Sequence, residues 1–220
     1  LDSDGDLDIL YGRKWIEQRR ISARVQWITH SIDASGDPNT RVQTADLNGD
    51  QRLDVVLANS EGAALVAWFE APQDRQQENW IAHPMGTDTL TGAHSLALAD
   101  FDLDGDTDVL VAEMSSAPGK RILMYVNQGN AADWSIVTLG THGSHNIVAR
   151  DVDADGDTDF VGKNYEGAGR FVEYWENRSA DLRLVPAPDT TQTAWRYQPI
   201  DTMRPAQDAR TFGLVAGDVN

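Results

Sequence analysis

Two nine-residue stretches carry the densest chemistry in the chain, Asp151-Val-Asp-Ala-Asp-Gly-Asp-Thr-Asp159 and its near copy Asp100-Phe-Asp-Leu-Asp-Gly-Asp-Thr-Asp108. In each, aspartates alternate with other residues, so a tight loop crowds several carboxylates together. Two like charges about 4 Å apart repel by roughly 1 kcal/mol in water and several-fold more near a protein surface. A hard divalent cation turns that repulsion into binding. Calcium matches best, because it takes about 6–8 oxygen ligands in flexible geometry, whereas magnesium demands a stricter octahedron. Positions 1, 3, 5 and 9 offer carboxylates, and position 7 offers its backbone carbonyl. Gly105 and Gly156 stand at position 6, where positive φ lets the chain reverse. The loops are not EF-hands, since the ninth-position aspartate runs straight into strand-like Val109-Leu-Val111 or Phe160-Val161. The ion is therefore expected in a β-hairpin.

The elements that position these loops show as a repeat. Loops of this kind end at Asp8, Asp54, Asp108 and Asp159, and a fifth begins at Asp218-Val-Asn220. A period near 50 residues suggests a propeller blade of four strands. First strands run into the loops as Arg41–Ala45, His94–Ala99, His145–Ala149 and Phe212–Ala216, and second strands leave them at Ile9, Val55, Val109 and Phe160. Third strands are read from an aromatic followed two residues later by Glu or Asn: Trp15 and Glu17, Trp68 and Glu70, Tyr125 and Asn127, Trp175 and Asn177. Fourth strands open on Trp27, Trp80, Trp134 and Trp195, which are expected to fill equivalent gaps between blades. His30 and His83 share a fourth-strand position with Val137 and Gln198, so that position is expected to tolerate change. An insertion over about 178–193 lengthens the fourth unit. The predicted architecture is all-β, with about four blades of four antiparallel strands. Units fall at approximately 1–39, 40–93, 94–144 and 145–211, with a fifth beginning over 212–220. Both ends of the chain fall inside a loop motif, so a fragment of a larger propeller is expected.

Composition narrows the function. A net charge of −17 opposes a nucleic-acid partner. No apolar run approaches the roughly 20 residues that span a bilayer, and with no cysteine, disulfides and thiol chemistry are excluded.

At these loops the sequence resembles the FG-GAP/VCBS repeat family of calcium-loop β-propellers, over essentially all 220 residues. The resemblance implies a propeller, often seven-bladed and usually extracellular, periplasmic or on the cell surface, with Ca2+ between first and second strands. Carried over by position, it implies metal ligands at Asp2, Asp4, Asp6 and Asp8, then at Asp46, Asn48, Asp50, Arg52 through its carbonyl, and Asp54. It implies Asp100, Asp102, Asp104, Asp106 and Asp108 in the third loop, and Asp151, Asp153, Asp155, Asp157 and Asp159 in the fourth. Asp218 and Asn220 would start the fifth. The second loop departs from the pattern through Asn48, Gly49 and Gln51, and is expected to be the weakest complete one.

Two function classes follow. One is a calcium-stabilised scaffold, or a carbohydrate- or protein-binding module, joined to further blades or domains of a secreted polypeptide. The alternative is a catalytic propeller, because relatives of the fold include polysaccharide lyases and a sugar dehydratase. Fold alone does not separate them, and the chain has no Ser-His-Asp order, phosphate loop or zinc signature. A catalytic or ligand site is expected on the face opposite the loops, where first strands start and second strands end. That geometry selects His94 and His145, with Glu113, Asn164, Lys163 and His142 beside them.

Overall fold

The computed structural model describes residues 1–164, 172–180 and 194–199. All the regular elements described below are strands in antiparallel sheets, and among the described residues no helix is long and apolar enough to cross a membrane.

The first sheet joins β1 (Ile9–Tyr11), β2 (Lys14–Ile21) and β3 (Arg24–Ser31) in that order. The second joins β4 (Thr40–Ala45), β5 (Asp54–Asn59), β7 (Ala67–Glu70) and β8 (Ile81–Pro84). The third joins β10 (Ala93–Ala99), β11 (Asp108–Glu113), β12 (Ile122–Asn127) and β13 (Trp134–Gly140). The fourth joins β14 (Asn146–Arg150), β15 (Asp159–Lys163), β16 (Val172–Asn177) and β17 (Trp195–Pro199). A small extra pair, β6 (Ala63–Ala64) with β9 (Leu90–Thr91), was not legible in the sequence. Each sheet is a meander whose neighbouring strands follow one another in the chain, which short turns permit.

Consecutive sheets share cores. Trp15 and Leu10 of the first pack with Val55, Leu57 and Phe69 of the second. Val56, Ala58 and Trp68 of the second meet Val109, Val111, Leu123 and Tyr125 of the third. Leu110, Ala112, Ile122 and Met124 of the third meet Phe160 and Trp175 of the fourth. The central strands are therefore covered on both faces, and β11 is buried at every residue. The first strands β4, β10 and β14 lie side by side, β10 touching both neighbours. Their small residues, such as Ala97 and Ala99, permit that approach.

Register corrects two sequence expectations. Val55 pairs with Phe69, Val109 with Tyr125, Phe160 with Trp175 and Ile9 with Ile16. Trp15 and Trp68 are thus equivalent to Met124 and Tyr174, one residue away from the aromatics matched by sequence. The fourth-strand tryptophans do align, because Trp27 faces Gln18, Trp134 faces Asn127 and Trp195 faces Asn177. Trp80, Trp134 and Trp195 join the cores between sheets. Trp27 does not: it sits inside β3, which starts at Arg24, and is 53% exposed on a sheet face without a neighbour among the described residues.

Candidate functional site

Each acidic loop is built by its own backbone. In the third, Asp100 accepts from the N–H groups of Asp104 and Gly105 (both 3.0 Å), Asp102 from Asp104 N–H (3.2 Å), and Asp104 from Asp106 N–H (2.9 Å). The second loop repeats this pattern with Asp46, Asn48 and Asp50 as acceptors. These bonds bend the chain so sharply that two positions are left-handed in all four loops. Position 6 has φ of 93° at Gly5, 67° at Gln51, 102° at Gly105 and 98° at Gly156. Position 4, which sequence reasoning missed, has φ of 67° at Ser3, 75° at Gly49, 62° at Leu103 and 65° at Ala154. The second loop has moved its glycine from one left-handed position to the other.

The ninth-position aspartate locks loop to sheet. Asp108 accepts from Phe101 N–H at 2.9 Å within the loop and from Asn127 N–H at 2.9 Å on the third strand. Asp159 does the same with Val152 (2.9 Å) and Asn177 (2.7 Å), and Asp54 with Leu47 (3.1 Å) and Ala71 (2.8 Å). Asp8 accepts from Gln18 N–H at 3.0 Å and from the Leu1 amino group. The Asn127 and Asn177 amides reach further. Asn127 Nδ2 donates to Leu47 O of the preceding loop at 3.2 Å, and Asn177 Nδ2 to Phe101 O at 2.7 Å. Neighbouring loops are thereby tied together.

Oxygen donors converge in two loops. One carboxylate oxygen each from Asp100, Asp102 and Asp104 lie within 4.8 Å of one another, as do oxygens of Asp151, Asp153 and Asp159. Oxygens about 2.3–2.6 Å from a shared ion sit at such separations, and a set with no nitrogen or sulfur suits a hard cation. The residues present therefore fit Ca2+, which would supply positive charge at the point where the carboxylates meet. Burial raises the carboxyl pKa of Asp54 to about 6 and of Asp108 to about 7, because ionised oxygens lose water there. Burial and neighbouring aspartates also raise Asp102 and Asp153. In the fourth loop Tyr174, unforeseen from sequence, reaches Asp159 at 3.0 Å and Asp153 at 3.3 Å through its hydroxyl.

Among the described residues the first and second loops do not gather three carboxylates in this way. In the second, the Arg52 guanidinium pairs with Asp50 and donates to Ala71 O at 2.8 Å, while Asn48 Nδ2 donates to Asp50 at 3.1 Å. In the first, Asp2 accepts from Asp4 N–H at 3.2 Å, and Asp4 from Asp6 N–H at 2.9 Å. At position 7 the Asp157 side chain turns to accept from Ala180 N–H at 3.0 Å, whereas Arg52 reaches back to Asp50. Asp6 lies 3.9 Å from Arg20, and Asp106 faces Gly129. Asp155 accepts from Asp157 N–H at 3.1 Å. Asp218 and Asn220 lie outside the described residues.

On the opposite face the selected residues divide into two groups. His94 and His145 stack, with ring centroids 4.3 Å apart. His94 sits at a bulge between Ala93 and Ser95, and His145 N–H donates to Lys163 O at 3.0 Å. His142 stands apart, bonded to Glu173 at 2.6 Å beside Trp175 and Tyr197. Glu113 is a structural acceptor, saturated by Thr91 N–H and by the backbone and side chain of Arg121. Asn164 holds the turn by donating to His142 O and Gly143 O, and Lys163 is buried. His30 and His83, expected at a tolerant position, stack on Trp15 and Trp68 at 4.3 Å and bond Glu17 and Glu70. A cavity of about 810 Å³ between the third and fourth sheets is walled mainly by apolar groups such as Met124, Val126 and Trp195.

No curated protein matches the chain. A family model described as an FG-GAP-like repeat matches residues 46–111 and 100–162, taking in the second, third and fourth loops and the strands between them. With matched segments covering more than half its length, and the same loop recurring at the same place in successive four-stranded sheets, the chain belongs to the FG-GAP-like repeat family.

Proposed function

We propose that this chain is a calcium-stabilised β-propeller module of an extracellular, periplasmic or cell-surface protein, with one Ca2+ in each of the third and fourth loops. The observation that carries the reading is the convergence of three carboxylate oxygens within 4.8 Å at equivalent places in two sheets. Within each loop the protein's part is to hold that convergence: backbone N–H groups fix the carboxylates, and the ninth-position aspartate anchors the hairpin to its sheet. Each sheet, with its loop, is one unit, at about 1–39, 40–93, 94–144 and 145–211. Extracellular calcium modules bind at about 10⁻⁴–10⁻³ M, so loops of that class fill outside the cell and stay empty in a resting cytosol. The far face is then free to present a carbohydrate or protein ligand.

Thermal unfolding in calcium and in EDTA tests this reading. A ligand present at about 100 times its Kd adds about 2.7 kcal/mol per site, so calcium should raise the melting temperature clearly. Identical melting in both conditions overturns the proposal, and a nanomolar Kd removes the argument for location. A second reading, a catalytic propeller acting on a polysaccharide, draws support from the stacked rings of His94 and His145 on that face. Turnover of acidic polysaccharides that is lost when both become alanine would decide for it.

A further inference from the structure

Three neighbouring first strands contribute to one polar cleft on the far face. Thr40, Arg41 and Gln43 come from β4, His94 from β10 and Asn146 from β14, around a cavity of about 320 Å³. His145 stacks on His94 at its edge. That volume lies at the small end of ligand pockets and suits a molecule of monosaccharide size.

Among the described residues Arg41 meets no acid in this cleft, while the Asn146 amide bonds His145 Nδ1 at 2.8 Å. The chain has 35 acidic side chains against 18 Lys and Arg, yet among the described residues no carboxylate pairs with Arg41. Its guanidinium lies 3.4 Å from His94 Nδ1. Arginine only donates, so that ring nitrogen accepts and the His94 proton sits on Nε2. Burial, and then the Arg41 charge, lower the His94 pKa and keep the ring neutral. His94 Nε2 is buried and 3.4 Å from a Glu61 oxygen, an electrostatic contact without hydrogen-bond alignment. Buried polar atoms are seldom left unpaired without a reason. The stacked imidazoles do not make a metal site, because lone pairs on parallel rings do not converge on one ion.

We propose that the cleft binds a hydroxylated carboxylate of monosaccharide size, its carboxylate on Arg41 and its hydroxyls on His94 Nε2, Gln43 and Asn146. The inference rests on the far face being the ligand face and is independent of what fills the loops. An arginine is the side chain best matched to a carboxylate, through two parallel N–H groups. Amides and hydroxyls along the walls supply the mixed donors and acceptors that sugar hydroxyls need. Glu61 opposes the ligand's charge from the rim, but its side chain is 57% exposed and so well screened by solvent.

The test is a titration of calcium-saturated protein with D-glucuronate, D-glucose and acetate, read on the His94 and His145 imidazole proton resonances. Glucuronate should shift both saturably at millimolar concentration, glucose and acetate far less. Arg41→Gln should weaken glucuronate by about tenfold or more, the scale of one lost charged hydrogen bond. Glu61→Gln should strengthen it. The calcium-dependent melting shift, measured on the same samples, should be unchanged in Arg41→Gln, whose side chain is on the surface. The proposal is overturned if glucuronate moves neither histidine, if glucose binds as well as glucuronate, if acetate binds equally, or if Arg41→Gln binds like the parent chain.

Discussion

At the scale of single residues, the ninth-position aspartate differs from the other loop carboxylates. Asp159 is fully buried and accepts backbone N–H groups from Val152 and Asn177, so it is part of the fold whether or not a cation is present. Asp102 is a loop carboxylate that accepts a local N–H group, from Asp104. Leaving a buried donor unsatisfied costs about 1–3 kcal/mol. Asp159→Ala should therefore lose about 2–4 kcal/mol in EDTA, with a further loss in calcium. Asp102→Ala should change stability in EDTA by less than about 1 kcal/mol yet remove most of the third loop's calcium increment. Paired chemical denaturation of both variants, with and without calcium, checks this; equal losses in EDTA would contradict the assignment. The alternation of aspartates made these residues legible in sequence. The division between anchor and ligand was not, because it depends on which third-strand N–H faces the loop.

At the scale of elements, the second loop shows how one strand connection departs from the convergence of three carboxylates. Its third position is an amide, and the Arg52 guanidinium supplies a built-in cation to Asp50. Restoring charge and removing that competitor with Asn48→Asp and Arg52→Ala together should create a further calcium site. Calorimetry should then show the stoichiometry rising by one; an unchanged count would mean that backbone shape, with Gln51 at φ 67°, sets the limit. First and second strands were legible because the loops bracket them. The phase of the third strand was not. A sheet buried on both faces loses the alternation of polar and apolar residues that fixes register, and adjacent aromatics such as Trp68 and Phe69 each face a different core. Trp27 misled for a related reason, since the repeat keeps its tryptophan even where no described sheet covers it.

At the scale of the molecule, the loops do not act singly. Asn177 Nδ2 bonds Phe101 O of the neighbouring loop and Thr158 O of its own, while its Oδ1 accepts from Ser179 N–H. Asn177→Ala should cost about 2–4 kcal/mol, as expected when a buried polar network is broken. It should also weaken coupling between the third and fourth loops. A double-mutant cycle with Asp102→Ala, read as calcium affinity at the fourth loop, would expose that coupling; strict additivity would show the loops to be independent. The far-face histidines were legible from strand geometry, whereas the role of Arg41 needed the side-by-side placement of β4 and β10. The loop bonds also govern how the molecule ages. Asp104-Gly105 and Asp155-Gly156 are two of the chain's Asp-Gly dipeptides, in which the glycine nitrogen readily attacks the preceding carboxyl and converts aspartate to its isomer. In both, the glycine N–H is held by the first aspartate of its loop, Asp100 at 3.0 Å and Asp151 at 3.2 Å, so the attacking atom is occupied and the chain is bent away from the cyclising geometry. The turn that gathers the carboxylates of these two loops thus also restrains the nitrogens that would attack them.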